Sequence, residues 1–445
     1  MIEVQKDNLI KVGVISPVVF GAKFSISEDS RLQEAVGLAR AINLDVVWQE
    51  TIHIRKIRSG TYFSRGIIEK IASHVEEKNI ELLVVDTDLS PIQQRNLERE
   101  LKIKVIDRTA LILEIFGERA QTREGVLQVE LAHLTYQRSR LVRSWTHLER
   151  QRGGAGFLGG PGETQIELDR RIIDDKITRI KKNLDKVKQT REIQRGARRR
   201  VPYPIIALVG YTNAGKSTLF NLLSKSEVVA ADMLFATLDP TMRKIVIPSG
   251  REVILSDTVG FISDLPHELI MAFRATLEEV LNADVILHVC DIADSDSAAH
   301  RTDVLKVLES LGLSELKLAD NYIEVLNKAD LLSVAEQKNW QEKISHNKRQ
   351  ILVSAYTGQG TEELLKRIDS LLFSAEEVQT VIMPLSEGKL RAWLYRHGKI
   401  LQEKIIDEEK RIIQVLLSKD NFHRLNHLSE QYNVEIKKCD NAIDK

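Results

Sequence analysis

The stretch Ile205-Ile-Ala-Leu-Val-Gly-Tyr-Thr-Asn-Ala-Gly-Lys-Ser-Thr-Leu-Phe220 organises the chain. Ile205 to Val209 is an apolar, β-branched run, the pattern of a strand buried on both faces. Gly210 to Ser217 then spells G-x-x-x-x-G-K-S, and Thr218 to Leu223 continue with helical spacing. Strand, glycine loop and helix in that order predict a phosphate-binding loop. Gly210 and Gly215 let the backbone approach a phosphate with no Cβ in the way. The amides of Tyr211, Thr212, Asn213 and Ala214 then face an anion at a helix N-terminus. Lys216 is placed to reach the β- and γ-phosphates, and Ser217 to offer its hydroxyl to Mg²⁺.

Downstream residues say which nucleotide. Asp232 to Thr241 has weak regularity and reads as a mobile switch, in which Thr237 and Thr241 both qualify to ligate Mg²⁺ and sense a γ-phosphate. Val253-Ile-Leu-Ser-Asp-Thr-Val-Gly260 is a strand ending in D-x-x-G, formed by Asp257, Thr258, Val259 and Gly260. Asp257 can hold Mg²⁺ through water, and the Gly260 amide can meet the γ-phosphate. Ile323-Glu-Val-Leu-Asn-Lys-Ala-Asp330 ends in N-K-x-D, formed by Asn327, Lys328, Ala329 and Asp330. The Asp330 carboxylate can accept from guanine N1–H and the exocyclic amine, a donor pair that adenine lacks. Asn327 and Lys328 would brace the loop and cover the base. Ile351-Leu-Val-Ser-Ala355 ends in Ser354 and Ala355, where a backbone amide can read guanine O6. Four motifs at successive strand ends put one ligand at the carboxyl edge of a parallel sheet. The residue after D-x-x-G is Phe261, which can neither donate to nor accept from an attacking water. Slow intrinsic hydrolysis follows, with a partner, a nearby loop or the substrate itself completing the site.

Upstream, residues 11 to 117 alternate short apolar strands (Lys11–Ser16, Leu44–Trp48, Leu82–Asp86, Val105–Asp107) with amphipathic helices (Ser30–Ile42, Gly66–Lys78, Ser90–Leu101). That rhythm predicts a small parallel sheet covered by helices. Its histidines, His53 and His74, read as surface residues. Next, Leu127, Leu131, Leu134, Leu141, Trp145 and Leu148 step by threes and fours, with Arg138 in one seam position. Ile166, Ile173, Ile177, Ile180, Leu184 and Val187 repeat the pattern after Thr164 and Glu167, a capping signal. Between them Gly153 to Gly162 is too glycine-rich for a helix. An antiparallel helical hairpin with a glycine tip is expected. Residues 134–200 hold 18 Lys/Arg against 8 Asp/Glu, a net +10 on a chain whose overall formal charge is zero. Arg150, Arg152 and Phe157 flank or occupy the tip, and Arg198-Arg-Arg200 closes the hairpin. A concentrated positive arm on a neutral protein suits a phosphate backbone, and Phe157 could stack in an RNA cavity.

The chain has 445 residues, 43% of them hydrophobic and only 5% aromatic, enough for several aliphatic cores. Cys290 and Cys439 support neither a disulfide framework nor a zinc site. No apolar run approaches the ~18 residues of a membrane span, and no signal-peptide core is visible, so a soluble cytosolic protein is expected. Residues 375–445 read as a small α+β module: a strand at Val378–Pro384, a helix near Glu387–Arg396, strands near Lys404–Ile406 and Arg411–Leu417, and a helix from Asp420 to Tyr432.

In these motifs the chain resembles the HflX family of translational GTPases, in the Obg-related group. Leu89-Ser-Pro-Ile-Gln-Gln-Arg-Asn-Leu97 and Val105-Ile-Asp-Arg-Thr109 resemble its N-terminal domain. Gln128-Val-Glu-Leu-Ala132, Arg152-Gly-Gly154 and Gly160-Pro-Gly-Glu-Thr164 resemble its arm. The phosphate loop, Asp257–Gly260, Asn327–Asp330, Ser354-Ala355 and the run Phe235, Ala236, Thr237, Leu238, Asp239 resemble its nucleotide site. Tyr62-Phe-Ser-Arg-Gly66 departs from the Gly-x-Gly-Lys pattern the family tends to show there. The resemblance implies an α/β fold in four parts: an α/β domain over 1–117, a helical arm over 118–200, a P-loop GTPase domain over 201–374 and an α+β module over 375–445. It implies GTP hydrolysis to GDP with Mg²⁺ on Ser217 and Thr237, and catalytic roles for Lys216, Thr237, Asp257 and Gly260. It further implies binding to the large ribosomal subunit in the GTP state, the arm reaching toward the peptidyl-transferase centre, splitting or rescue of ribosomes under stress, and hydrolysis stimulated by ribosomes. A cytoplasmic monomer without membrane insertion is expected. The second reading is a GTP-dependent switch whose arm binds a protein or a membrane-associated protease, with peripheral membrane association.

Overall fold

The computed structural model describes residues 9–21, 25–151, 161–198, 203–225, 234–235, 237–238, 240–264, 280–313, 321–345, 347, 349–373, 377–407, 409–417, 419–432 and 434–438. Two compact units emerge: Met1–Ala197, Ile205–Ile245 and Val253–Glu362 form one, and Arg198–Pro204, Val246–Glu252 and Glu363–Lys445 the other.

The first unit opens with β1 (Lys11–Val19), α1 (Glu28–Ala41), β2 (Asp45–Ile54), α2 (Arg65–Lys78), β3 (Leu82–Val85), α3 (Pro91–Leu101), β4 (Lys104–Asp107) and α4 (Arg108–Arg119). The strands pair in parallel in the order β2-β1-β3-β4. Ser90 caps α3 in a reciprocal box with Gln93, and Pro91 fills a first-turn position whose N–H has no helical partner. β1 and β2 run several residues beyond the expected ends because Val18, Ile52 and Ile54 find buried partners. His53 is exposed, whereas His74 is packed 4.6 Å from the Trp48 ring, which the residue pattern did not announce.

The arm is α5 (Arg123–Gln151) and α6 (Pro161–Arg198). Leu134, Ile177 and Ile180 are buried between them, flanked by Leu127, Leu131, Ile173 and Leu184. Arg138, the polar seam residue, meets Asp174 at 3.2 Å. Both side chains are over two-fifths exposed, so the pair adds at most ~1 kcal/mol and the apolar seam does the holding. α6 begins at Pro161, earlier than a glycine tip ending at Gly162 would allow, because proline is well suited to a first helical turn. Residues 152–160 of the tip, with Phe157, and Arg199–Arg200 lie outside the described residues.

The central sheet has the order β10-β9-β8-β5-β7-β6. Its strands are β5 (Ile205–Gly210), β6 (Thr241–Val246), β7 (Glu252–Asp257), β8 (Val285–Asp291), β9 (Tyr322–Asn327) and β10 (Gln350–Leu352), joined with α7 (Lys216–Ser224), α8 (Ser297–Ser310), α9 (Val334–Ser345) and α10 (Thr361–Phe373). β5 lies between β7 and β8, parallel to both, with Ile206 to Val209 fully buried. β6 was not anticipated. One apolar core runs from this sheet into the N-terminal helices: Leu111, Ile112, Ile115 and Phe116 of α4 pack with Phe235, Val259, Phe261 and Ile262. Each large side chain so buried contributes ~1.5–3 kcal/mol.

The second unit carries an antiparallel sheet, β12-β13-β11-β14, from β11 (Glu377–Pro384), β12 (Lys399–Ile405), β13 (Lys410–Leu417) and β14 (Glu435–Lys438), with α11 (Gly388–His397) and α12 (Lys419–Tyr432). β12 starts five residues before the expected Lys404, and β14 was not anticipated; both are edge strands, where burial leaves a weak pattern. No helix among the described residues is long and apolar enough to cross a membrane.

Candidate functional site

The glycine loop leaves β5 at the centre of the sheet and ends on Lys216, the first residue of α7. Lys216 is nearly buried and its ammonium donates back to the carbonyls of Gly210, at 3.1 Å, and Tyr211, at 2.7 Å. Burial draws its pKa down to about 8, against the opposing pull of the Asp257 charge. Gly215 has φ +90°, a left-handed conformation, and a Cβ there would lie 2.2 Å from Asn327 Nδ2. That close approach is used. Asn327, at the end of β9, donates Nδ2 to the Ala214 carbonyl at 2.8 Å and accepts from the Ala355 amide through Oδ1 at 2.9 Å. A single side chain thus fastens the phosphate loop to the segment after β10.

At the start of α7, Ser217 Oγ donates to Asp257 Oδ2 at 2.7 Å. Thr237 Oγ1 donates to the same oxygen at 3.0 Å and lies 3.0 Å from Ser217 Oγ. Thr237 reaches this cluster, whereas Thr241 opens β6. Asp257 is fully buried at the end of β7, and its Oδ1 has no hydrogen-bond partner among the described residues. Burial raises the pKa of this carboxyl, and Lys216 works against that. Two hydroxyls and a carboxylate with one orphaned buried oxygen are a donor set that fits a small hard cation such as Mg²⁺. Three residues on, Gly260 packs against the loop, where a Cβ would lie 2.9 Å from Lys216 Nζ and Thr212 Cγ2. The next residue, Phe261, donates its amide to the Gly210 carbonyl at 3.1 Å and accepts from the Thr212 amide at 2.7 Å. Phe261 is 2% exposed, with its ring in the core.

The other end of the cleft is built from β8, β9 and β10. Lys328 sits at φ +64° and pairs with Asp291, the last residue of β8, at 2.7 Å. Asp330 is exposed and accepts from Ser354 Oγ at 2.5 Å. Ser354 and Ala355 are buried, as is Ala329, whose amide donates to the Val353 carbonyl. Asp291 was missed by sequence reasoning, although an aspartate at the end of an apolar strand was the available sign.

Other predicted residues turn their side chains elsewhere. Phe235 packs edge-on against Phe116, ring centres 4.7 Å apart, and Leu238 and Val259 are buried in the same core. Thr258 gives its hydroxyl to the Leu208 carbonyl at 2.6 Å, bracing β5 from below. These four bring only backbone to the cleft. Ala236 and Asp239 lie outside the described residues. Asn213 adopts φ +58° at the bend of the loop. Tyr211 stacks on His300 at 3.8 Å and donates its hydroxyl to Glu34 of α1.

Family models match three consecutive stretches: one described as GTP-binding GTPase N-terminal over residues 29–117, one as GTP-binding GTPase Middle Region over 119–198, and one as 50S ribosome-binding GTPase over 205–328. The GTPase HflX of Magnetococcus marinus is 48% identical over 371 residues, covering 83% of this chain and 84% of that protein. That of Escherichia coli strain K12 is 42% identical over 395 residues, covering 88% and 91%. The chain belongs to the GTPase HflX family. Like the family, it is a GTP-binding GTPase of α/β class. Among solved structures, a GTP-binding protein of the archaeon Sulfolobus solfataricus in complex with GDP is 23% identical, covering 82% of this chain and 98% of that one, with a TM-score of 0.44.

The family resemblance did not single out the contact between the N-terminal helices and the loop. Glu34, Arg108, Tyr211 and Ser263 lie far apart in sequence; Arg108 falls in Val105–Thr109 and Tyr211 in the glycine loop, but Glu34 and Ser263 belong to no motif.

Proposed function

We propose that this chain is a cytoplasmic GTPase that binds the large ribosomal subunit and dissociates or rescues ribosomes under stress, acting as a monomer. The observation that carries the reading is the convergence of Ser217, Thr237 and Asp257 beside Lys216, with Asn327 tying the loop to the Asp330 side of the cleft. In this reading Ser217 and Thr237 would hold Mg²⁺, with Asp257 behind them through water, and a bound ion would supply charge neutralisation for the phosphates. The amides of the loop, the Lys216 ammonium and the Gly260 N–H hold the phosphates. Asp330 takes the guanine N1–H and amine, Lys328 covers the base, and the Ala355 segment reads O6.

Hydrolysis is slow in the isolated chain. Phe261 is buried and bonded to the loop on both sides of its backbone, so the position where a water-orienting glutamine would sit contributes no polar atom. The missing contribution comes from the ribosome. The net +10 of residues 134–200 supports contact with ribosomal RNA, as does the description of the matching nucleotide-domain model as a 50S ribosome-binding GTPase. The deciding experiment measures GTP turnover with and without large subunits, alongside co-sedimentation with a non-hydrolysable analogue. Stimulated turnover and analogue-dependent binding are expected, both lost when Gly153–Gly162 is replaced by a short linker. No co-sedimentation at moderate salt would favour a protein partner for the arm, and ribosome dissociation by the linker variant would remove the arm from the mechanism.

A further inference from the structure

Every polar atom of Ser263 is taken. Its amide donates to the Tyr211 hydroxyl at 2.7 Å, and its own hydroxyl donates to Glu34 Oε1 at 2.8 Å. Its carbonyl accepts from the Arg108 guanidinium at 2.9 Å. Glu34 and Arg108 belong to α1 and α4, far from the nucleotide motifs in sequence. Arg108 also pairs with Glu34 and, at 2.5 Å, with Asp86, while Arg31 meets Asp86 at 3.4 Å. Two cations and two carboxylates, all less than a tenth exposed at their side chains, form a charge-balanced buried node. Tyr211, the second residue of the phosphate loop, enters this node by giving its hydroxyl to Glu34.

We propose that Glu34 and Arg108 are positioning residues of the GTPase reaction, acting through Tyr211 and Ser263 to set the Gly260 amide. The assignment rests on the nucleotide-site reading above. The chain between Gly260 and Ser263 has little freedom. Phe261 is hydrogen-bonded to Gly210 and Thr212, and its ring is in the core. Gly260 packs closely against the loop, since a Cβ there would lie 2.9 Å from Lys216 Nζ and Thr212 Cγ2. A shift at Ser263 is therefore passed to Gly260 and to the loop rather than absorbed. Gly260 serves the γ-phosphate, whereas the loop holds the phosphates that GDP shares, so the node bears on GTP and on its transition state more than on GDP. Placement of that kind matters in phosphoryl transfer, where positioning and charge supply most of the rate.

Two variants test it. Tyr211→Phe keeps the ring on His300 and deletes only the shared hydroxyl. Arg108→Lys keeps the charge beside Glu34 and Asp86 but cannot span Asp86 and Ser263 together. Fluorescent GDP and a non-hydrolysable GTP analogue are titrated, and kcat and KM are measured per GDP-binding site, with and without large subunits. GDP affinity is expected to stay within about twofold, while the analogue-to-GDP affinity ratio and kcat fall about tenfold to a hundredfold, the range of an ångström-scale misplacement. Wild-type kcat and wild-type ratio in folded Tyr211→Phe would overturn the assignment. So would a loss of GDP affinity in step with kcat, which is the mark of a purely structural contact. Absence of GDP binding by the unaltered chain would overturn the nucleotide-site reading itself.

Discussion

Tyr136, on the first arm helix, donates its hydroxyl to both oxygens of Asp107, at 2.9 and 3.0 Å. Arg140, one turn on, adds a bond to Asp107 at 3.1 Å and another to the Leu89 carbonyl. Asp107 also caps α4 by accepting from the Ala110 amide at 2.8 Å. Its chain neighbour is Arg108, which grips Ser263 behind Gly260. Adjacent residues therefore hold the root of the arm and the segment after the D-x-x-G motif.

Asp107→Ala should strip α4 of its cap and leave Tyr136 and Arg140 without their buried acceptor. A lost cap costs ~1 kcal/mol, and breaking a buried charge pair costs ~3–5 kcal/mol. Tyr136→Phe removes one hydroxyl and should cost about 1 kcal/mol. Hydrogen exchange at the first turn of α4 and in α5 between residues 130 and 141 measures both. Faster exchange in both segments for Asp107→Ala, and a smaller effect for Tyr136→Phe, is the expected order. Unchanged exchange in α5 would show that the arm root is held by apolar packing alone.

Gly260→Ala tests crowding around the γ-phosphate end. The new methyl would lie 2.9 Å from Lys216 Nζ and 3.1 Å from the Thr212 backbone, and the backbone cannot yield. Gly260 is not among the left-handed glycines, so sterics rather than strain decide the result. Overpacking of this kind costs ~1–3 kcal/mol. GTP-analogue affinity should fall more than about tenfold with GDP affinity much less affected, because at the γ-phosphate end each 1.4 kcal/mol is a factor of ten. Equal losses for both nucleotides would mean that the loop itself had collapsed.

The sequence made the nucleotide cleft legible where chemistry dictates residue type at a fixed spacing. Lys216, Asp257, Asn327 and Asp330 each end or follow a strand, and parallel strands leave those ends on one edge. It left Thr237 and Thr241 open, because both carry the needed hydroxyl; the structure brings Thr237 to Ser217 and Asp257. The bond from Tyr211 to Glu34 spans 177 residues and that from Arg108 to Ser263 spans 155, separations over which no local pattern survives. β6 and β14 lie at sheet edges, where half-exposed strands carry charged residues and lose their alternation. Strand and helix periodicity supplied the order of the parts, but the buried node between α1, α4 and the loop joins residues that no local pattern links.

Asp330→Asn should change which base is preferred. The carboxylate, steadied by Ser354, is replaced by an amide that offers donors where guanine also donates. A site that loses its matching acceptor rejects the former ligand by about a hundredfold or more. Xanthine carries a carbonyl in place of the exocyclic amine, and it should gain. Competition of XTP and GTP against fluorescent GDP measures the reversal. An unchanged GTP preference would remove Asp330 from base reading.

Lys216 makes nucleotide binding depend on pH with a defined sign. Burial has lowered its pKa from 10.5 to about 8 in the chain without nucleotide. Between about pH 8 and 10.5 the unfolded chain keeps a proton that the folded one has released, so the stability of the nucleotide-free protein rises with pH across that window. A depression of that size corresponds to about 3 kcal/mol over the full range. Phosphates reverse the effect, because an adjacent negative charge favours the ammonium. Binding GDP at pH 8.5 should therefore take up a fraction of a proton, whereas at pH 7, where Lys216 is already charged, uptake at this group should be close to zero. Calorimetry in two buffers of different ionisation enthalpy reads the difference directly. Lys216→Arg, whose guanidinium stays protonated throughout, should abolish the extra uptake at pH 8.5. Equal uptake at the two pH values in the unaltered chain would show that the ammonium is fully charged before the nucleotide arrives.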